Sequence, residues 1–186
     1  MTQKGRELRM TRGLTHENRP DESAVRYKMD ESRWHLARLA ELQAPVINSI
    51  LHNLERAQPP AEVLFPFKCC LSAFLSSTAS TLFYLRLALK REFIPWLEAK
   101  NDEPLFRAFY FARNFEVHQN VTTTSTVRRL AGKPKEPCVG LNFHQLAPLG
   151  AVRLHYATDC LLELAQQYLE AIEQAVNEAT AFGHFR

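Results

Sequence analysis

The sequence lacks the paired cysteines of a disulfide framework or of a zinc site. Its four cysteines are Cys69, Cys70, Cys138 and Cys160, and no two of them form a C-x-x-C pair. The adjacent Cys69 and Cys70 would project about 100° apart on a helix, so they could not easily hold one metal ion together. We therefore predict four reduced thiols, no metal and no cofactor, as is typical of a cytoplasmic protein.

Targeting and membrane signals are also missing. The segment from Met1 to Arg6 carries charge but no apolar core after it, which predicts that there is no signal peptide. The longest apolar stretches are interrupted by Arg86, Lys90 and Arg91, so no membrane span is expected. The sequence has no signature of a phosphate-binding loop, a serine hydrolase or a zinc protease. No internal repeat is visible.

Length and charge narrow the class of protein further. The 186 residues suit one domain, and a hydrophobic content of 46% is enough for a sizeable core. The net charge of +3 permits an anionic partner without requiring one. Residues 1–28 are polar and aperiodic, which predicts a flexible basic N-terminal arm, and residues 29–186 are expected to form a single helical domain. The arm could contact a phosphate backbone, but a solvated tail is the simpler interpretation.

The spacing of apolar residues predicts two long helices in the first half of the chain. A first helix is expected from about Asp30 to Ala57, with a kink or a break near Gln43 because Pro45 removes one backbone hydrogen bond. A second helix is predicted over residues 61–93. Its many small serine and threonine side chains would let a neighbouring helix approach closely.

The second half of the chain is expected to complete a helical bundle. A third helix is predicted over residues 104–120, with Asp102 as its N-cap. Residues 128–148 are interpreted as an irregular insertion with one short strand near residues 138–143, and a last helix should cover residues 149–179. The predicted fold is all-α: an up-down bundle of four long helices with an irregular insertion before the last helix.

The third predicted helix carries the most informative segment of the sequence, Arg113-Asn114-Phe115-Glu116-Val117-His118. Asn114 and His118 lie one helical turn apart, whereas Arg113 lies about 140° from His118 around the helix axis. A guanidinium can bind a phosphate through two parallel hydrogen bonds, and an imidazole can exchange protons with the 2′-hydroxyl or the leaving 5′-oxygen of RNA. Asn114 could orient the imidazole or bind an oxygen of the substrate. Alternatively, such residues near a helix end bond carbonyls or acids.

This motif and its context resemble the HEPN family of small helical domains, many of which are RNases. The resemblance lies in Asn114 directly after Arg113, with His118 following one turn later. It also lies in the aromatic helix that carries them, which starts with an acidic residue followed by Pro, Leu and Phe at residues 103–106. It is sharpest over residues 102–118 and follows the order of helices over residues 30–180. It implies a homodimer with an active groove between two motif helices, with Arg113, Asn114 and His118 as catalytic residues.

The resemblance also implies a biochemical role. The expected activity is metal-independent RNA cleavage that leaves a 2′,3′-cyclic phosphate and a 5′-hydroxyl, and such proteins are commonly toxins or defence effectors. A toxin would need an antitoxin or a nucleotidyltransferase-like partner protein. Small residues on the second helix and aromatic residues on the third predict a two-fold dimer with the third helices near the axis.

Basic residues after the motif could extend an RNA-binding surface. The candidates are Arg128, Arg129, Lys133 and Lys135, although a solvated loop fits them equally well. His155 and Asp159, one turn apart, are interpreted as a helix-surface contact rather than a metal pair. Two other interpretations of the whole chain stay open: a non-catalytic helical adaptor that binds a protein or a nucleotide, and a plain four-helix structural protein.

Overall fold

The all-α bundle predicted from the sequence is confirmed. A computed structural model describes residues 19–52, 60–119, 127–129, 137–139 and 160–186. Within these ranges the helices are α1 (Glu22–His52), α2 (Ala61–Ala88), the short α3 (Ile94–Asn101), α4 (Pro104–Gln119) and α5 (Leu161–Ala181), with a 3-10 turn at Arg91–Phe93. Two short strands, β1 (Val127–Arg129) and β2 (Pro137–Val139), pair antiparallel between α4 and α5.

Helix α1 begins at Glu22, earlier than the start expected near Asp30. Asp21 caps this earlier start, because its Oδ1 accepts hydrogen bonds from the amide of Ala24 at 3.0 Å and from the hydroxyl of Ser23 at 2.6 Å. A side-chain oxygen that bonds an amide of the first helical turn is the usual N-cap arrangement.

The predicted N-terminal arm therefore extends too far. Val25 and Met29 are both buried in the core, so the apolar stripe of α1 already begins inside the predicted arm. Charged residues interrupt this apolar stripe in the sequence. One of them, Arg26, forms an ion pair with Glu22, which lies one turn earlier in the helix. Residues 22–28 belong to the helical domain, whereas residues 1–18 lie outside the described part of the chain.

The break expected near Gln43 is not observed. Helix α1 continues through Pro45 to His52. Val46, the residue after the proline, is buried, and its packing helps to offset the hydrogen bond that the proline removes. The expected end of the helix near Ala57 lies outside the described residues.

Helix α2 ends at Ala88, before the predicted end at Phe93. Leu89 adopts an extended conformation and pairs with Phe185 in an isolated antiparallel bridge, so the C-terminal residues dock on the end of α2. Pro95 occupies the first turn of α3. Proline fits that position because the first helical amides have no partner within the helix.

The predicted start of the motif helix is confirmed, since α4 begins at Pro104. Asp102 is not observed to cap it with its side chain; its amide instead donates to the carbonyl of Glu98 and closes α3. Two strands form in the predicted insertion, where one was expected, with Arg128 opposite Cys138 in the ladder. The predicted start of the last helix, at residue 149, lies outside the described ranges.

The core is formed by the facing sides of the four long helices. Helices α1 and α2 form the most extensive pair, α4 packs on α2 and α5, and α5 packs on α1. The hydroxyls of Ser32 and Thr81 lie 3.4 Å apart where α1 crosses α2. The buried Thr81 also donates to the carbonyl of Ser77, so it is satisfied within its own helix. The small side chains of α2 thus allow the close approach that the sequence predicts.

Helix α2 is the one described helix that is long and apolar enough, by length and composition, to cross a membrane. Its most apolar window has a mean hydropathy of 1.3, and 44% of that window is buried inside the protein. Because the core helix of a soluble protein passes the same test, this finding is weak evidence for a membrane span. The absence of a span stays a prediction.

Candidate nucleic-acid site

A cluster of aromatic rings fixes the position of the motif helix. Phe109 of α4 stacks on Tyr168 of α5, with ring centroids 4.3 Å apart and an interplanar angle of 9°. Phe106 meets the same tyrosine edge-on at 5.3 Å, and Phe74 of α2 meets Phe109 edge-on at 6.2 Å. Such edge-to-face and stacked pairs are favourable beyond the area they bury. The inner face of α4 is therefore anchored to α2 and α5.

Burial also determines the chemistry of the tyrosine at the centre of this cluster. Tyr168 is 3% exposed, and burial raises the pKa of its phenol well above the ordinary value. A hydrogen bond with Thr78 opposes part of this increase. The phenol is therefore neutral in the folded protein and plays a structural part beneath the motif.

Arg113 and Asn114 contact each other between two faces of α4, because Arg113 follows Phe109 at helical spacing on the inner face and Asn114 follows Tyr110 on the outer face. The Nη1 of Arg113 donates a hydrogen bond to Oδ1 of Asn114 at 3.1 Å, and both side chains are half-buried. Neighbouring residues project about 100° apart on a helix, so the long arginine side chain reaches around the helix to make this contact. The structure thus brings together two of the three predicted catalytic residues.

One donor of Arg113 has no partner among the described residues. Its Nε is buried and makes no hydrogen bond within the described part of the chain. An unpaired buried donor costs about 1–3 kcal/mol, and a negatively charged oxygen that reached this edge of the guanidinium would remove that cost.

The backbone of His118 lies in the last turn of α4, one turn after Asn114. The prediction that one helix carries both Asn114 and His118 is therefore confirmed. The side chain of His118 lies outside the described part of the protein. Its distance to Arg113 and its part in catalysis therefore stay predictions.

The basic residues after the motif are described only in part. Arg128 and Arg129 lie in β1, where their Cα partners are Cys138 and Pro137 of β2. Two candidate RNA-binding residues therefore lie in a pair of antiparallel strands, as their backbone positions show. Lys133 and Lys135 lie outside the described residues.

Two exposed residues on α4 were not among the sequence candidates. Arg107 is exposed, and Tyr110 is 49% exposed, with its ring edge-on to Phe111 at 5.8 Å. Residues 107, 110 and 114 follow helical spacing, so they share the outer face of α4 with Asn114. This spacing could have been found in the sequence, where the aromatic run was interpreted as part of a dimer interface.

Metal-binding clusters are not seen in the ranges that the structure describes. No group of three His, Cys, Asp or Glu side chains there could hold a metal ion. Cys69, Cys70 and Cys160 are free thiols, as predicted for these three residues. His155 and Asp159 lie outside the described ranges.

No protein-family model, curated protein or solved structure matches this chain. The resemblance to the HEPN family therefore stays a prediction that rests on the residues of the motif helix and on the order of the helices.

Proposed function

We propose that this protein is a HEPN-like, metal-independent endoribonuclease, or an RNA-binding domain of that kind, that works as a homodimer. Arg113, Asn114 and His118 are its catalytic residues in this proposal. The observation that carries it is the pairing of Arg113 with Asn114 on a well-anchored helix, next to a buried guanidinium nitrogen without a described partner. An arginine held in this way is prepared to bind an anion.

The chemistry assigns one task to each residue. RNA supplies its own nucleophile, since the 2′-hydroxyl can attack the adjacent phosphorus once its proton is removed. The imidazole of His118 accepts that proton or protonates the leaving 5′-oxygen. The guanidinium of Arg113 stabilises the negative charge that grows on the phosphate oxygens. The products are a 2′,3′-cyclic phosphate and a 5′-hydroxyl.

The contact between the two described residues supports this division of tasks. Asn114 uses its Oδ1 to hold Nη1 of Arg113, which leaves Nη2 as the guanidinium nitrogen for phosphate, since Nε is buried. A side chain that is already oriented loses less conformational entropy when it binds its ligand. The amide nitrogen of Asn114 can then donate to a phosphate or ribose oxygen.

Single-stranded RNA fits the outer face of α4. Arg107 and Tyr110 lie on this face beside Asn114, and Tyr110 presents about half of its surface to solvent. Base stacking on an exposed aromatic ring tolerates many sequences, and a nearby arginine adds attraction to the backbone. Arg128, Arg129, Lys133 and Lys135 would extend the contact to further phosphates.

Cleavage of RNA in the presence of EDTA tests the proposal. The wild type should cut single-stranded RNA with chelator present, and it should not cut DNA of the same sequence. The substitution His118→Ala should abolish cleavage, whereas Gln167→Ala, at an exposed position of α5, should leave it unchanged. Analysis of the product ends should find the cyclic phosphate.

Two results would contradict the catalytic proposal. One is full activity of His118→Ala, and the other is a folded, dimeric wild type that leaves every RNA intact. In the second case, an RNA-binding measurement distinguishes the two remaining alternatives. Binding without cleavage supports the RNA-binding form of the proposal, and the absence of both favours the non-catalytic adaptor.

A cellular role as a toxin or defence effector belongs to the same proposal. Expression of the wild type should then slow growth of the host cell, and His118→Ala should not. A cognate antitoxin or nucleotidyltransferase-like partner should restore growth when it is produced together with the wild type. Growth that is equal for both variants would contradict this role.

A further inference from the structure

The last helix carries charge of one sign only. Helix α5 contains four glutamates and no lysine or arginine over Leu161–Ala181. Its buried side is almost entirely apolar, so the glutamates lie on the sides that solvent and neighbouring helices reach. A surface of this composition attracts a basic segment, provided that its shape can hold one.

An open groove along the outer side of α5 has such a shape. We call it the α5 groove; it extends from Glu170 to Phe182 and has a volume of about 520 Å³. Gln174, Asn177 and Ala181 line it between these two ends. Its lining contains no lysine or arginine among the described residues, so the only charges that it presents are negative.

Two flanking glutamates of the α5 groove are held by ion pairs to neighbouring helices. Glu173 pairs with Arg33 of α1 at 2.5 Å, and Glu178 pairs with Lys100 of α3 at 3.0 Å. These pairs neutralise much of the charge on the flanks. They also fix α1 and α3 on opposite sides of the groove.

One carboxylate and one aromatic ring in the α5 groove have capacity for a ligand. Glu170 is exposed and accepts a hydrogen bond from the neutral amide of Gln166 at 2.8 Å, and no cation among the described residues pairs with it. Phe182 is 71% exposed, the largest value for a big apolar side chain in the described ranges. A ligand therefore needs a cation and an apolar group about 18 Å apart, the rise of α5 between these two residues.

The start of α1 lies beside the last turns of α5. Oε1 of Glu22 accepts a hydrogen bond from the hydroxyl of Thr180 at 2.9 Å, and Nη1 of Arg26 donates one to Oδ1 of Asn177 at 3.4 Å. Residues 1–18, which lie outside the described ranges, are thus joined to the fold next to the α5 groove.

The composition of residues 1–18 is complementary to the groove. The segment has four basic residues against two acidic ones, and three large apolar side chains besides Met1: Lys4, Arg6, Arg9 and Arg12; Glu7 and Glu17; and Leu8, Met10 and Leu14. Leu14 and Arg9 lie about 17 Å apart in an extended chain, close to the separation that the groove requires. Leu14 can also reach the start of α1, since about 17 Å of extended chain joins it to Arg19.

We propose that residues 1–18 dock in the α5 groove of their own chain. Leu14 packs against the exposed ring of Phe182, and the guanidinium of Arg9 pairs with the carboxylate of Glu170. The segment runs in the same direction as α5, and it covers the most exposed large apolar side chain of the described fold.

Attachment to α1 makes weak contacts sufficient for docking. An exposed ion pair is a weak interaction by itself, but a short tether gives the segment an effective concentration of about a millimolar or more at the groove. Occupation of the groove therefore needs no tight binding.

The α5 groove lies away from the motif helix. Tyr168, on which Phe109 of α4 stacks, is nine residues before Asn177, so the two side chains project to opposite sides of α5. Docking therefore leaves α4 accessible to RNA and to a second copy. The proposal goes beyond the proposed function, because it assigns the basic segment to α5 whether or not RNA is cut.

A cysteine cross-link in the full chain tests the docking. The background is Cys69→Ser, which removes an exposed thiol. His16→Cys, on the same side of an extended segment as Leu14, should then form a disulfide within one chain with Ala181→Cys under mild oxidation. Peptide mass spectrometry identifies the joined peptides, and circular dichroism checks that each variant is folded.

The matched control combines His16→Cys with Tyr27→Cys in the same background. Tyr27 is 70% exposed and lies about 8 Å along α1 from Glu22, so the segment reaches it as easily as it reaches Ala181. This pair should cross-link at least about fivefold more slowly, because a docked segment is held on α5.

Reversal of charge tests the pairing of Arg9 with Glu170. Glu170→Arg and Arg9→Glu should each slow the cross-link to Ala181→Cys about fivefold or more, and the two together should restore most of the rate, because they exchange the charges of the pair. Glu163→Arg makes the same reversal at a glutamate of α5 outside the groove lining and should leave the rate unchanged.

Three outcomes would overturn the proposal. Equal rates for the two cysteine pairs would show that the segment has no preferred position on α5. A disulfide that joins two chains would assign the groove to the segment of a second copy. Weaker RNA binding by Arg9→Glu, with an unchanged cross-linking rate, would assign the arginine to RNA. Each outcome is read without an RNA-cleavage assay, so it is distinguishable from failure of the proposed function.

Discussion

Arg113 donates a hydrogen bond from Nη1 to Oδ1 of Asn114, its neighbour in the chain, over 3.1 Å. Side chains of consecutive helical residues point away from each other, so this contact needs the full reach of the arginine around α4. The bond restricts a guanidinium whose Nε is buried without a described partner. The two residues therefore act as one unit, and substitutions at the two positions should have related but unequal effects.

Substitution of Arg113 should damage RNA cleavage more than substitution of Asn114. Arg113→Ala removes the phosphate contact and should lower kcat/KM by about 10²–10³. Arg113→Lys keeps the charge but loses the planar pair of donors, so its activity should fall between those of the alanine variant and the wild type. Asn114→Ala should cost less, about tenfold, because water can replace its positioning bond. Steady-state kinetics on one RNA substrate measures all three.

The fold provides the control for these variants. Both side chains are half-buried and neither is among the buried apolar side chains of the core, so the thermal unfolding midpoints should stay close to that of the wild type. Wild-type kcat/KM for Arg113→Ala would contradict the assigned role. A variant that has lost its helical circular dichroism would not test the chemistry and would be replaced by Arg113→Gln.

The contact between Phe109 and Tyr168 should be a main source of stability for the motif helix. Phe109→Ala leaves a cavity beside the stacked tyrosine and should lower the free energy of unfolding by about 3–5 kcal/mol. Tyr168→Phe keeps the ring and removes only the hydroxyl that bonds with Thr78, so it should cost about 1 kcal/mol. Urea denaturation measures both differences, and equal losses would contradict the assignment of stacking as the larger effect.

Acid should loosen the start of α1 before it unfolds the protein. Hydrogen bonds from the side chain of Ser23 and the amide of Ala24 lower the pKa of Asp21 below its ordinary value. The stabilisation is therefore fully present above the pKa of the unfolded chain and is lost as pH falls through the lower pKa of the folded state. Amide exchange at Ala24, followed by NMR, should become faster over that pH range.

The matched variant for this prediction is Asp21→Asn. It keeps a capping oxygen but cannot titrate, so its exchange at Ala24 should lose the acid-dependent step. An unchanged step in this variant would assign the effect to another carboxylate, such as Glu22.

The adjacent cysteines should differ strongly in reactivity. Cys69 is exposed, whereas Cys70 is 8% exposed and its thiol donates to the carbonyl of His35 at 3.3 Å. Burial raises the pKa of the Cys70 thiol, which keeps it protonated near neutral pH and slows its reaction with electrophiles. Iodoacetamide should label Cys69 first, as measured by peptide mass spectrometry. Faster labelling of Cys70 in the folded protein would contradict the described packing.

Sequence reasoning was reliable where one face of a helix is continuously apolar. The start of α4 at Pro104 and the buried side of α5, with Leu164, Tyr168 and Ile172, could be predicted from local periodicity and from the preference of proline for a first helical turn. Such reasoning was wrong about a break at Pro45, one of the two outcomes it allowed there, because packing of Val46 against the core helps the helix to continue. It was also wrong at Asp30, because the stripe through Val25 is interrupted by charges that pair on the surface.

Local sequence determined the all-α class, the helix that carries Arg113, Asn114 and His118, and the small-residue character of α2. These features depend on intrinsic preferences and on spacing along a single helix. Tertiary structure decided that α2 stops at Ala88, because Leu89 pairs with Phe185 from the far end of the chain. It also decided which face of α2 is left outside the core, since burial depends on how α1, α4 and α5 pack around it. Contacts between distant segments are set by the sum of many weak interactions, and no local pattern fixes that sum.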